Sequence, residues 1–154
     1  MARVERIIPA PPEQVFAVLA DGWTYSDWVV GTAHIRDVEA GWPAVGTRIH
    51  HKAGPWPVSI HDRSVSLECD PPRMLLLKVR IWPLGAALVR FELTPTNDGG
   101  TRIAMTEDFA EGPLQWVHTK VNDLVLHQRN VEALRRLSDF AVRRAQHGVE
   151  ALER

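Results

Sequence analysis

Residues 99–109 read GGTRIAMTEDF. After the turn signal NDGG (97–100) the chain alternates: Ile103, Met105 and Phe109 share one parity, Arg102, Thr106 and Asp108 the other. That is the period of a strand with one buried face. Glu107 breaks the pattern, because it lies on the apolar parity. A carboxylate that points with the core either reaches water at the end of the strand or belongs to a site. The answer depends on what the apolar face looks onto, and so on the rest of the fold.

Two further strands register onto this one. In RMLLLKVRIW (73–82), Leu75, Leu77, Val79 and Ile81 share a face, and in ALVRFELT (87–94), Val89, Phe91 and Leu93 do. Pairing Phe91 with Ile103 sets Val89 against Met105, Leu93 against Thr101 and, on the other face, Glu92 against Arg102, a favourable cross-strand pair. The same register places Glu107 opposite Ala87, where a small side chain leaves room. Upstream, AHIRDVE (33–39) and TRIHHKA (47–53) also read as strands. VSIHDRSVSLEC (58–69) changes phase, with Val58 and Ile60 on one parity and Val65, Leu67 and Cys69 on the other, which predicts a bulge near Asp62–Ser64.

The N-terminal part supplies a short strand, RVERII (3–8), and a helix in APPEQVFAVLAD (10–21), where proline suits the first turn and Glu13 the positive helix end. The aromatic, turn-rich GWTYSDW (22–28) reads as a short second helix or loop. From about residue 114 to Gly148 there is neither proline nor glycine, which predicts a long helix beginning near Gly112–Pro113. At ~1.5 Å per residue, residues 114–147 would span about 50 Å, so the helix crosses the whole body and residues 147–154 form a tail that would fray. Its stripe drifts: Val117, Val121 and Leu124 point one way, Leu134, Leu137 and Ala141 another. A kink or π-bulge near His127–Asn130 would reconcile them.

Composition narrows the function. The 154 residues suit a single domain spanning 1–154, and the net charge of −1 lacks the basic footprint expected of a nucleic-acid binder. One cysteine, Cys69, excludes an internal disulfide and reads as a buried thiol. MARVERIIPAPPE has no long apolar run and no stretch approaches a membrane span, so a cytoplasmic location is expected. Six tryptophans are many for this length, three of them in the pairs Trp42-Pro43, Trp56-Pro57 and Trp82-Pro83. Their indoles either hold loops against the body or line a ligand pocket. Arg135, Arg136, Arg143 and Arg144 on the long helix read as a solvated face.

Strand, two short helices, six strands and a long helix make an α+β chain with one antiparallel sheet of about seven strands. Its charged parity (Lys78, Arg80, Arg90, Glu92, Arg102) faces water and its other face curls around the helix. This order, with APPEQVFAVLAD after the first strand, DW at 27–28, CDPPRMLLL, GGTRIAMTED and the long terminal helix, resembles the helix-grip superfamily. That group (START domains, birch-pollen-allergen-like proteins, and the polyketide cyclase/dehydrase and lipid-transport proteins, together SRPBCC) is matched here over nearly the whole chain. The resemblance implies a cavity between sheet and helix for apolar or aromatic small molecules. It includes carriers, receptors, aromatase/cyclases and hydrolytic or dehydrating enzymes, and fold does not choose among them.

Strong chemical motifs are absent: NDGG leads into a strand and not a helix, and no nucleophile elbow or HExxH helix occurs. His50 and His51 point to opposite faces and cannot share a metal, so neither metal nor cofactor is expected. By parity the inward polar residues are His51 and Glu107, with His61 through the bulge and Asp123, His127 and Asn130 from the helix. Glu107 and His51 are the candidate catalytic pair, Glu107 near the cavity mouth with His51 as its expected neighbour. Val89, Phe91, Ile103, Met105, Leu134 and Leu137, with Asn130, are the candidate ligand wall. The leading expectation is binding of a hydrophobic, aromatic or polyketide-like molecule, with cyclase/dehydratase chemistry as the activity to test. A carrier or sensor, and a co-chaperone-like interaction module, are the alternatives. A homodimer is compatible with all three.

Overall fold

The computed structural model describes residues 2–30, 32–53, 60–81, 85–112 and 120–153. Seven antiparallel strands form one curved sheet in the order β1-β7-β6-β5-β4-β3-β2. They are β1 (Ala2–Ile8), β2 (Thr32–Val38), β3 (Arg48–Ala53), β4 (Ile60–Asp70), β5 (Met74–Ile81), β6 (Gly85–Pro95) and β7 (Thr101–Glu111). Helix α1 (Pro12–Leu19) and the short α2 (Tyr25–Trp28) follow β1, and α3 (Lys120–Leu152) lies across the sheet. This is the helix-grip arrangement, with the element order expected from the sequence and, outside β4, the expected strand parities.

The core lies between the inner face of the sheet and the helices. Leu75, Phe91 and Ile103 from the sheet meet Leu134, Leu137 and Ala141 of α3, all 1% exposed or less. Phe16 and Leu19 of α1 close one end. Arg144, expected to be solvated, instead binds the Asp21 carboxylate and donates to the Ala17 carbonyl, so it ties α3 to the end of α1. Arg135 and Arg136 do lie on the outside, paired with Glu132.

Further details differ from expectation. The β6–β7 register is displaced by two residues: Phe91 faces Met105, Leu93 faces Ile103, and Val89 faces Glu107. Glu92 consequently faces Ala104, not Arg102, and Ala87 faces Phe109. A two-residue slip keeps every side chain on its own face, so hydrophobic matching cannot detect it. The turn decides: Thr96 and Gly100 exchange the bonds Thr96 N–H to Gly100 O and Gly100 N–H to Thr96 Oγ1, with Gly99 at φ 84° between them. That short turn pairs Pro95 with Thr101.

The bulge of β4 lies between Ser66 and Glu68, not at Asp62–Ser64. β3 and β4 pair without interruption from Arg48↔Val65 to Ala53↔Ile60. Asp62, Ser64 and Ser66 therefore point inward and are buried, while Leu67 is 38% exposed. The phase change in the sequence comes from polar residues on an inner wall, and His61 is exposed as a result. Cys69 is only half-buried.

Helix α3 runs as uninterrupted α-helix through residues 124–131, with no π turn. The drifting stripe has another cause: Leu124, Val125 and Val131 do not face the core, being 56%, 61% and 41% exposed. Residues 147–152 are helical. The helix start expected after Gly112–Pro113, Val58, Val117, Trp56, Trp82 and the side chain of Val121 lie outside the described residues.

The helix has one structural face, and substitution should reveal it. Leu134→Ala should cost about 2–5 kcal/mol of unfolding free energy, because it opens a cavity in close-packed core. Leu124→Ala should stay within about 0.5 kcal/mol of the parent, as an exposed change does. Urea unfolding of both variants checks this; equal costs would contradict it.

Candidate functional site

The inner face of the sheet does not close completely on α3. A cavity of about 190 Å³ remains, bounded by α2, strands β2 to β7 and α3. Its aromatic side is set by α2. Trp28 is fully buried and meets the Phe91 ring edge-on at 5.9 Å between centroids, with Tyr25 stacked obliquely against it at 4.6 Å. The polar handles of both rings are already used: Trp28 Nε1–H donates to Thr24 Oγ1, and Tyr25 O–H to the Leu19 carbonyl. What these side chains offer the cavity is apolar ring surface. Ile49, Leu77, Val89 and Met105 extend that surface along the sheet.

Glu107 lies on the inner face of β7 and is 3% exposed. Arg129 of α3 donates through Nη2 to both carboxylate oxygens at 2.6 Å, and Asn130 Nδ2 donates to Oε2 at 2.9 Å. Asn130 is 1% exposed, whereas the Arg129 side chain keeps 35% of its surface in water. The ion pair therefore spans the boundary between cavity and solvent. Three charge-assisted donor contacts satisfy a carboxylate that would otherwise be strongly destabilised by burial.

His51 lies on β3, with β4, β5 and β6 between it and the strand of Glu107. It is 7% exposed and lines the same cavity. Its Nε2 is 3.2 Å from Ser64 Oγ, while its Nδ1 is buried and has no hydrogen-bond partner among the described residues. Burial lowers its pKa, opposed by the nearby Asp62 and reinforced by Arg36 and His50. Asp62 stands directly across from His51 in the β3–β4 register and approaches Arg80 Nε at 3.8 Å. His50, on the outer face, is half-buried and meets Glu39.

The expected site residues thus separate into groups. Glu107, His51, Val89, Phe91, Met105 and Asn130 do line the cavity. Ile103, Leu134 and Leu137 do not; they are wholly buried in the packed core beside it. Asp123 and His127 are exposed, as is His61. His51 is not the partner of Glu107: Arg129 and Asn130 are, and the room around the carboxylate comes from α3 and not from Ala87.

The sequence reading missed Arg129, Asp62, Ser64 and Arg80, all of which line the cavity. A usable signal existed for two of them. Regular β3–β4 pairing carries the inward parity of His51 to Asp62 and Ser64, and taking three polar residues at alternate positions as a wall would have removed the need for a bulge there. Arg129 gave less warning, because an arginine at the edge of a helical stripe is usually solvated.

Against proteins of known fold and family the chain is placed as follows. Residues 1–140 match the family model for polyketide cyclase/dehydrase and lipid transport. No curated protein matches by sequence. Among solved structures, protein MLL2253 from Mesorhizobium loti superposes with a TM-score of 0.69 at 21% identity, over 92% of this chain and 96% of that one. The ZhuI aromatase/cyclase from Streptomyces sp. R1128 does so at 0.69 and 19%, covering 94% of each chain. Ara h 8.0201 gives 0.67 and 12%, over 91% of this chain and 95% of that one. At such identities the structures speak for the fold alone. No helix among the described residues is long and apolar enough to cross a membrane. The family match covers most of the chain, and the protein belongs to the polyketide cyclase/dehydrase and lipid transport family.

Proposed function

We propose that the protein binds a compact aromatic or otherwise hydrophobic small molecule in the cavity between the sheet and α3. The observation that carries this reading is the cavity itself: an enclosure of about 190 Å³ walled by Trp28, Ile49, Leu77, Val89, Phe91 and Met105, with a few polar side chains, among them His51 and Glu107. An apolar enclosure with a few placed polar groups is the usual make-up of a small-molecule site. At about 190 Å³ this one is smaller than the ~300–1,000 Å³ typical of such sites, which favours a ligand of one or two fused rings over a long acyl chain.

A second reading, an enzyme, is supported by the presence of an imidazole, His51, and a guanidinium, Arg129, on the wall of one cavity. A neutral imidazole can accept a proton from a carbon beside a carbonyl, and a guanidinium can stabilise the oxygen of an enolate. The enolate electrons then attack a second carbonyl carbon, or expel a β-hydroxyl as water with the proton returned by His51. These are the steps of cyclisation and dehydration, and the structural likeness to an aromatase/cyclase makes them the chemistry to test first. The carrier reading needs only the binding.

Two outcomes follow. Naphthol titrated into the protein should bind with saturable heat, and Ala133→Phe, which places a ring in the cavity from the buried wall of α3, should abolish the signal while leaving far-ultraviolet circular dichroism unchanged. Binding that persists in that variant would place the ligand elsewhere.

The second concerns pH. Because the folded state lowers the pKa of His51, the unfolded chain takes up this proton first, near the ordinary ~6.5. The unfolded state then binds more protons, so this contribution to stability is complete above ~6.5 and is lost as pH falls from there towards the lower folded value. His51→Gln should flatten that limb of the stability profile. An unchanged slope would show that His51 is not held neutral.

A further inference from the structure

The outer face of the sheet carries a recess of its own. Along β4 the inward Asp62, Ser64 and Ser66 alternate with the outward Arg63, Val65 and Leu67, and along β5 Leu77 and Val79 alternate with Lys78 and Arg80. These outward residues, with Glu111 at the end of β7, wall a recess of about 490 Å³. Three cations there face one carboxylate, in a chain whose net charge is −1. The recess is therefore a local concentration of positive charge.

The register shows how little of that charge is matched. Val65 pairs with Lys78 and Ser64 with Val79, so the next step along the two strands sets Arg63 beside Arg80. Like charges directly opposite each other on a strand pair are destabilising. Lys78 is held by Glu111 at 2.5 Å. Arg80 Nε is 3.8 Å from the Asp62 carboxylate, which is beyond hydrogen-bond range and offsets only part of its charge. On the other side of Arg63 stands His50, which Glu39 engages. The exposed Arg63 guanidinium has neither a hydrogen bond nor an ion pair among the described residues. Between one and two positive charges are thus left for an anion to neutralise.

We propose that this recess binds a phosphate monoester, its phosphoryl group held between Arg63 and Arg80 and its carbon skeleton laid along Val65 and Leu67. A phosphate monoester carries roughly −1.5 to −2 charge at neutral pH and three acceptor oxygens. Guanidinium forks match phosphate oxygens in pairs, so one phosphoryl group can engage two of them. A carboxylate has one charge and two oxygens, and would leave one of the arginines unmatched. Leu67, 38% exposed, and Val65 supply apolar surface beside the charges. The inference stands apart from the reading of the inner cavity. Arg80 lines both spaces, whereas Arg63 lines only the outer one, which makes Arg63 the residue to alter.

Calorimetry at pH 7.5 and fixed low ionic strength tests this, since salt screens exposed charges. Phenyl phosphate should bind at least about tenfold more tightly than benzenesulfonate, which has the same ring and a single charge. Arg63→Met should weaken phenyl phosphate at least about tenfold, the size of one lost charge-assisted contact, and leave naphthol binding as it was. Glu111→Gln, which releases Lys78, should tighten it severalfold. Cosedimentation with phosphatidylcholine vesicles, with and without phosphatidic acid, identifies the source of the phosphate. Retention on phosphatidic acid that Arg63→Met abolishes assigns it to a lipid headgroup, and binding of phenyl phosphate without retention assigns it to a soluble ligand. Equal affinity for the two aryl anions, unchanged binding in folded Arg63→Met, or failure of both phenyl phosphate and phosphatidic acid to bind overturns the proposal. Should Arg63→Met not fold, Glu111→Gln decides, because a site elsewhere would not tighten. The naphthol titration keeps the readings apart: its failure touches the inner cavity alone.

Discussion

A carboxylate on the inner face of a sheet needs a cation, and in this protein α3 supplies one. Glu107 is carried inward by the alternation of β7 and would face apolar neighbours, Val89 across the ladder and Met105 along it. Arg129 and Asn130 meet it from α3. Because the contact uses adjacent residues on one turn of the helix, it fixes both the rotation of α3 and its position along the sheet. Below it the helix packs solidly through Leu134, Leu137 and Ala141. Beside it the helix presents Ala133 to the space and leaves a gap. The polar clasp and the cavity are therefore two results of one placement.

The same placement divides the cavity wall by chemistry. Trp28, Tyr25 and Phe91 present ring surface, and the polar atoms of Trp28 and Tyr25 are spent on Thr24 and on the Leu19 carbonyl. The remaining polarity is concentrated at two places on well-separated strands, one around Glu107 and one around His51. The first is satisfied internally; at the second, His51 Nδ1 is buried without a hydrogen-bond partner among the described residues. The proposed ligand would bury apolar surface along these rings.

How much of this is legible in the sequence depends on which signal each feature leaves. Element order and strand parity are written in hydrophobic periodicity, and Leu75, Phe91 and Ile103 face inward as their parity requires. The inward aim of Glu107 follows from the same rule. Register is not so written: a two-residue slip preserves both faces, and only the tight Thr96–Gly100 turn distinguishes the alternatives. The β4 wall is hidden because Asp62, Ser64 and Ser66 are polar where a plain core would be apolar, so the site itself looks like an irregularity. The drift along α3 misleads for the opposite reason, since Leu124 and Val125 are apolar yet exposed. Arg129 is invisible until the helix is docked, because its role comes from the residue it meets and not from its own surroundings in the chain.

The interaction on which this account depends can be measured in the ligand-free protein by a double-mutant cycle of Glu107→Gln, Arg129→Met and the two together, followed by urea unfolding. A partly buried ion pair predicts that Arg129→Met alone costs about 2–4 kcal/mol, since it strands a buried charge. The double variant should then be more stable than the sum of the single losses by at least about 1.5 kcal/mol. Additive losses, or a cost for Arg129→Met no larger than the ~0.5 kcal/mol of an ordinary surface change, would mean that α3 is not held to the sheet by this pair, and that the polar end of the cavity is not built as described.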